Sequence, residues 1–255
     1  MGRVEHRSVT RSFLVGLADA MGIDRDVLDR VGTTVAPGSD RAGTGVASCY
    51  RLGEHTVIWC DPVLNDRLAA AIPAGEQWDA GRFAAWATGE GAEPLGRAVM
   101  HVLEGQGPSH EMPDGVRLRW LDRGSERDVA QLTAFCASCT VDEVESAEID
   151  LGDLDPRIVV AVDDDGAIGA YASALPWEYD EGFDDIGVLS RPDVRRRGWT
   201  AAALGALIER QHALRLEPLY RCDTDNDASM AVAHWAGFVP ATELTAVCFG
   251  AGPQV

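Results

Sequence analysis

The sequence predicts an α/β protein in two parts, and three observations carry that reading. From residue 116 onward, alternating and helical apolar patterns follow one another in the order β-α-β-β-β-α-β-α-β. Within that order, Asp165-Gly166 joins two apolar runs and is the strongest hairpin signal in the chain. Ahead of it, GQGPSHEMPDG (105–115) is rich in Gly and Pro and has no apolar period, as a linker has. The division that follows is an N-terminal α+β domain over 1–105, a linker over 106–114 and a second domain over 115–255, within the usual domain range.

In the first part, Phe13, Leu17 and Met21, with Leu14 and Ala18 beside them, mark an amphipathic helix. Asp24 is placed to cap a short second helix that stops at Gly32. GVASCYRL and HTVIWCDP read as two strands joined by Gly53-Glu54, and two helices are expected over 62–72 and 79–104. In the second part, VRLRWLD (116–122) alternates as a strand does, and Ser125 opens the next helix with capping-box spacing to Asp128. PRIVVAV and AIGAYASAL form the hairpin around Asp165-Gly166, and FDDIGVLS (183–190) is the next strand. A helix over 195–214 carries Leu204, Leu207 and Ile208 on one face. LEPLYRC is then a strand, DASMAVAHWAGF a short helix and TELTAVCF the last strand.

Composition narrows the function classes. Of 255 residues, 46% are hydrophobic and 25% charged, as in a globular protein with a substantial core. No run of 18 apolar residues exists, so no membrane partner is expected. The start MGRVEHRSVTRSF has no signal-like apolar segment, and His6 argues against myristoylation at Gly2, which leaves a cytoplasmic location as the expectation. All 22 basic residues are Arg, against 41 acids, for a net charge of −19. Such a field repels nucleic acid and favours cationic small molecules or basic peptides. The six cysteines are sparse for a disulfide scaffold. Cys136 and Cys139 share a helical stripe with Val129 and Leu132, so they read as core thiols, and no His or Cys set has zinc spacing, so no metal is expected.

Against this acidity stands VLSRPDVRRRGWT (188–200), where Arg191, Arg195, Arg196 and Arg197 crowd around Gly198. A strand ending near Ser190, a turn through Pro192-Asp193 and a helix from about Arg196 put unpaired N–H groups at a helix start. Arg opposes the helix dipole there, so an anion is needed to offset it; Gly198 lets a phosphate approach the backbone closely. The reading is a pyrophosphate site.

RRRGWT (195–200) resembles the acyl-CoA signature of the GCN5-related N-acetyltransferases (GNAT), Arg/Gln-x-x-Gly-x-Gly/Ala, with Thr200 in the last place. NDASMAVAHWAGF (226–238) resembles the family's second block, Asn-x-x-Ser followed by a helix and Gly-Phe. The resemblance covers about 115–255 and implies a mixed, mostly antiparallel sheet flanked by helices. It implies acetyl-CoA as co-substrate, with the backbone of Val188, Leu189 and Ser190 pairing with the pantetheine arm. The amides from Arg196 to Ala201, Trp199 and Thr200 among them, would hold the pyrophosphate, with Arg195 and its neighbours adding charge. Asn226, with Ser229 in the same block, would lie near the pantetheine or the thioester, and Asn226 also suits a helix N-cap. Where many members carry a Tyr that protonates the leaving thiolate, this chain has Ala233; Tyr220 or water is the alternative donor, or none is needed.

Carboxylates gather over Asp142, Glu143, Glu145, Glu148, Asp150, Asp153 and Asp155, and again over Glu178, Asp180, Glu181, Asp184 and Asp185. Residues 1–113 carry 10 Arg and 15 acids, and residues 114–255 carry 12 Arg and 26 acids, which points to a cationic acceptor for the second part. Asp184, on the strand leading to the phosphate loop, is the expected general base and Glu178 its rival. The activity expected is direct acetyl transfer to a primary amine on a cationic small molecule. The alternatives are a protein or peptide N-acetyltransferase and a non-catalytic acyl-CoA-binding module. Residues 1–105 are left open as a lid, a homodimer surface or a decayed second copy of the fold.

Overall fold

A computed structural model describes residues 8–73, 75–105, 107, 112–122, 125–150 and 157–250. Its elements in chain order begin with α1 (Val9–Ala20), β1 (Gly32–Pro37), β2 (Val46–Leu52), β3 (His55–Cys60), α2 (Asn65–Ala71), α3 (Ala80–Gly89) and β4 (Glu93–Leu103). They continue with β5 (Arg117–Trp120), α4 (Glu126–Cys136), α5 (Val141–Ser146), β6 (Ile158–Val162), β7 (Ile168–Pro176), β8 (Phe183–Ser190), α6 (Trp199–Leu214), β9 (Glu217–Asp223), α7 (Asp227–Ala236) and β10 (Phe238–Cys248).

Most of the local chemistry acts where the sequence places it. Ser8 caps α1 by accepting from the Arg11 N–H, and Asp24 caps a short 3-10 helix over Arg25–Asp29. Ser125 accepts the Asp128 N–H at the start of α4. The reciprocal half of that box does not form, because the Asp128 carboxylate accepts instead from the Asp122 N–H and pairs with Arg119.

Two expectations are corrected, and two elements lie beyond them. The helix expected over 79–104 is α3 followed by β4: Gly91 takes φ 83° just past α3, Pro94 cannot continue a helix, and Ala98–Leu103 is a buried run. The helix over 62–72 is a 3-10 turn at Pro62–Leu64 leading into the shorter α2. β1 and α5 were not read from the sequence at all. β1 is built on Thr33, Thr34 and Val35, and α5 starts at a capping box in which the Thr140 side chain accepts the Glu143 N–H while Glu143 Oε2 accepts the Thr140 N–H at 3.0 Å.

The chain forms two compact units. One comprises residues 1–102, 221–230 and 239–255. Its strands run in the order β1-β3-β2-β10-β4, with β2 antiparallel to both β3 and β10 and β1 parallel to β3. Cys49, Ile58, Leu64, Leu68, Trp78, Phe83 and Val247 form its buried centre, so α2 and α3 pack on the β2–β3 face.

The other unit comprises residues 103–220 and 231–238, with strand order β9-β8-β7-β6-β5. The pairs β5–β6, β6–β7 and β7–β8 are antiparallel, and β8–β9 is parallel. One sheet face buries Ile158, Val160, Ile168, Tyr171 and Leu189 against Leu132 and Phe135 of α4. α6 packs on β6, β7 and β8. The β6–β7 register shifts at Ala161/Val162, which leaves Gly169 as the extra residue of a bulge. The Trp199 ring lies against Gly169 where a Cβ would stand, and this close approach fixes the first turn of α6 on the sheet.

The Asp128 ties join β5 to α4 and give an acid-sensitive contribution. Burial pushes its carboxyl up, but the Asp122 N–H and the Arg119 guanidinium outweigh that and hold it below the usual carboxylate range. A depressed carboxyl stabilises the fold above its unfolded value of about 4, and the contribution is lost as pH falls through the lower folded value. We expect Asp128→Asn to cost about 2 kcal/mol at neutral pH. In urea titrations the gap between wild type and variant should close below about pH 4.

Candidate functional site

Residues Phe183–Asp185 of β8 pair with Glu217–Leu219 of β9, and that parallel ladder goes no further. On its other side β8 stays paired with β7 along its whole length, from Pro176↔Asp184 to Ala170↔Ser190, without a register shift. The Trp177 N–H donates to the Phe183 carbonyl and the Arg191 N–H to the Gly169 carbonyl, both at 2.9 Å. In an antiparallel ladder only alternate residues bond to a given neighbour, so the odd-numbered residues of β8 are committed to β7. Ile186, Val188 and Ser190 therefore direct their N–H and C=O groups to the side from which β9 has departed. Of the three residues expected along a pantetheine arm, Val188 offers its backbone groups at this edge, Ser190 offers its N–H while its carbonyl accepts from Arg195, and Leu189 is bonded to the Tyr171 strand and buried.

Past Ser190 the chain turns through a 3-10 turn at Pro192–Val194, anchored by buried Val194. Arg196 takes φ 61° and Gly198 φ 81°, both left-handed, and α6 starts at Trp199 rather than near Arg196. The two left-handed residues are the reason, since neither conformation belongs to a helix. The first bond of the helix runs from the Ala202 N–H to the Gly198 carbonyl at 2.9 Å, and Gly198 provides no side-chain cap. The N–H groups of Trp199, Thr200 and Ala201 are thus without intrahelical partners. A Cβ on Gly198 would be strained by its φ and would stand 3.3 Å from Pro113 Cγ.

The four arginines divide into two pairs. Arg191 donates to Asp193 from Nε at 2.7 Å, and Arg195 donates to Glu143 from Nη2 at 2.6 Å and to the Ser190 carbonyl from Nε at 3.2 Å. The Thr140 N–H and the Arg195 guanidinium hold the Glu143 carboxyl below its usual range against partial burial. Arg196 and Arg197 are exposed and, among the described residues, form no ion pair. Two positive charges beside an open helix start are what a di-anionic group would offset. Glu143 was read only as part of an acidic run; the Thr140-x-x-Glu143 spacing was the signal that gives it a position.

Asp184, expected as the general base, is a buried ion-pair partner. It is 1% exposed, Arg157 Nη1 lies 2.6 Å from its Oδ1, and Gln211 Nε2 makes a long 3.5 Å contact with Oδ2. Strand alternation puts Asp184 and Asp185 on opposite faces of β8, and the Asp184 face is the covered one. Glu178, in the turn between β7 and β8 beside buried Trp177, is exposed, and Asp180 accepts the Gly182 N–H at 2.8 Å in the same turn. Of the first acidic run, Asp142, Glu145, Glu148 and Asp150 are exposed, and Asp153 and Asp155 lie outside the described residues.

Asn226 and Ser229 belong to the other compact unit. There Asn226 caps α7, its Oδ1 accepting the Ser229 N–H at 3.0 Å. Ala233 is fully buried, His234 is exposed, and Tyr220 is 2% exposed with its ring against Phe238. Cys136 and Cys139 are half-buried free thiols packed on the unit's core, and burial pushes both up. Among the described residues no helix is long and apolar enough to cross a membrane.

The Asp184 geometry gives a direct expectation. Asp184→Asn should lower stability by about 3 kcal/mol, read as a fall in the urea midpoint, because it removes the carboxylate of a buried ion pair. A variant of unchanged stability whose turnover alone collapsed would return Asp184 to the role of base.

No family model matches the sequence, and no curated protein matches it. Solved structures do match. A tandem GNAT protein from the clavulanic acid biosynthesis pathway aligns over 100% of this chain and 98% of its own, with TM-score 0.54 and 15% identity. A GCN5-related N-acetyltransferase from Sphaerobacter thermophilus aligns over 68% of this chain at TM-score 0.50 and 17% identity. A GNAT-family acetyltransferase from Colwellia psychrerythraea aligns over 66% at TM-score 0.50 and 15% identity. The match spans 56% of the Sphaerobacter protein and 61% of the Colwellia protein. At these identities the likeness is one of fold, and it agrees with the parted parallel strands, the left-handed glycine and the helix start found here: the chain has the fold of the GCN5-related N-acetyltransferases.

Proposed function

We propose that the chain transfers an acetyl group from acetyl-CoA to a primary amine, carried by a cationic small molecule. The observation that carries this reading is the open edge of β8 after Asp185, running directly into the phosphate loop and the start of α6. An extended arm with amide groups adds to such an edge as a strand would, satisfying Ile186, Val188 and the Ser190 N–H. A pyrophosphate fits the N–H groups of Trp199, Thr200 and Ala201 and the free charges of Arg196 and Arg197. The bound thioester supplies an activated acetyl carbon, and the residues of the chain hold and orient it.

An ammonium acceptor must lose a proton before it attacks. Glu178 is the exposed carboxylate in the turn that precedes β8, and we assign it the proton, directly or through a water. The net negative charge of residues 114–255 supports a cationic acceptor by drawing it in. In linear terms we retain 115–255 as the catalytic segment, after a connection at 106–114. A second reading, a non-catalytic acyl-CoA-binding module, is favoured by one observation: fully buried Ala233 stands where a thiolate-protonating Tyr would be.

Gly198→Asp puts a carboxylate and a strained Cβ at the phosphate loop, and should weaken acetyl-CoA binding at least about 100-fold in calorimetry while the far-UV spectrum is kept. Unchanged affinity would remove the cofactor from this loop. In turnover assays against a panel of amines, Glu178→Gln should reduce kcat by about 10²–10⁴-fold with little change in acetyl-CoA affinity. Binding without turnover of any amine would favour the module.

A further inference from the structure

We propose that the unit containing residues 1–102 carries a counterpart of the cofactor-binding segment that its own residues have closed, so that each chain takes a single acyl-CoA. The proposal rests on the acetyl-CoA reading above.

Two segments of the chain repeat one local plan. In each, a strand paired antiparallel to the preceding one (β3 with β2, β8 with β7) ends two residues before a proline. A 3-10 turn follows at once, Pro62–Leu64 in one case and Pro192–Val194 in the other, and each leads to a helix. Each strand also has a parallel neighbour on its second edge, β1 beside β3 and β9 beside β8. The chain order differs there, since β1 precedes its hairpin and β9 follows α6. The alignment of the whole chain with a tandem GNAT fold agrees with such a repeat.

Three differences remove the cofactor features from the first segment. β1 pairs with β3 along its whole length, from Gly32↔His55 to Pro37↔Cys60, where β9 leaves β8 after three pairs. The edge that an extended arm would join is therefore already satisfied by the chain itself. Next, α2 begins at Asn65 directly after Leu64, whereas Arg195, Arg196, Arg197 and Gly198 stand between the second turn and α6. The loop that turns N–H groups towards a phosphate is missing. Finally, Asp61 stands where Arg191 does, one residue before the proline. Its carboxylate is 2% exposed and accepts from the Gly45 N–H at 2.8 Å and the Val63 N–H at 3.0 Å. Burial pushes Asp61 up, and the N–H groups of Gly45, Val63, Gly43 and Thr44 outweigh it and hold the carboxyl low. A fixed, buried carboxylate thus stands at this turn, and a phosphate brought there would meet its charge.

The test is the count of sites on the full-length protein. Calorimetric titration with acetyl-CoA should give one site per chain, and Gly198→Asp should abolish all measurable heat. Two sites in wild type, or a residual site in Gly198→Asp, would overturn the proposal. No binding by wild type would overturn the acetyl-CoA reading and the single-site count with it, an outcome distinct from either of the others. Hydrogen exchange gives an independent readout. Saturating acetyl-CoA should slow exchange over 186–190 by at least about tenfold and leave 55–60 unchanged, since that strand is already paired on both edges. Ligand-induced protection over 55–60 to match that over 186–190 would count against a closed edge.

Discussion

Three residue pairs hold β8 to β9, and the candidate site depends on that ladder ending at Asp185 and Leu219. A parallel pair that ran on would satisfy the backbone of Ile186, Val188 and Ser190 and leave nothing for a ligand to join. Parting the strands leaves these groups without strand partners, at a cost of about 1–3 kcal/mol for each that water does not reach. The unit tolerates this because β8 is fully paired to β7 on its other side and packs against α6. The Arg157–Asp184 ion pair sits at the last closed part of the ladder, beside Asp184↔Pro218. Its position there makes a structural role for Asp184 coherent: the carboxylate anchors the paired portion of the strand from which the open edge begins.

The electrostatics follow from the same arrangement. Four arginines close together would repel one another, and the fold relieves this by giving Arg191 to Asp193 and Arg195 to Glu143. Both ion pairs are at least partly exposed and are worth at most about 1 kcal/mol each. They are weak enough for a phosphate to compete for the arginines. Arg196 bears a left-handed φ that costs a non-glycine residue roughly 1–2 kcal/mol, a local strain of the kind concentrated at ligand-binding turns.

The first compact unit makes an instructive contrast. It keeps the strand, the prolyl turn and the helix but spends the strand edge on β1 and the turn amides on Asp61. Burying these groups within the chain gains stability without a ligand, and it gives up the open donors on which binding depends.

What the sequence determined by itself were the features with short-range causes. The Asp165-Gly166 hairpin, the Ser125 cap, the Pro192 turn and the arginine–glycine loop rest on residues within a few positions of one another, so their spacing carries the information. The resemblance in 195–200 and 226–238 had the same local character. Tertiary structure decided the rest. The expected helix over 79–104 became α3 and β4, because sheet pairing and burial overrode the helical pattern beyond Gly91. Asp184 looked like a free carboxylate until Arg157, 27 residues away, was brought against it. The open edge of β8 is likewise invisible in the chain: FDDIGVLS and HTVIWC both read as strands, and only the pairing of distant segments leaves one edge open and closes the other. Pairing across long sequence separations is set by the packing of whole elements, and local composition does not encode it.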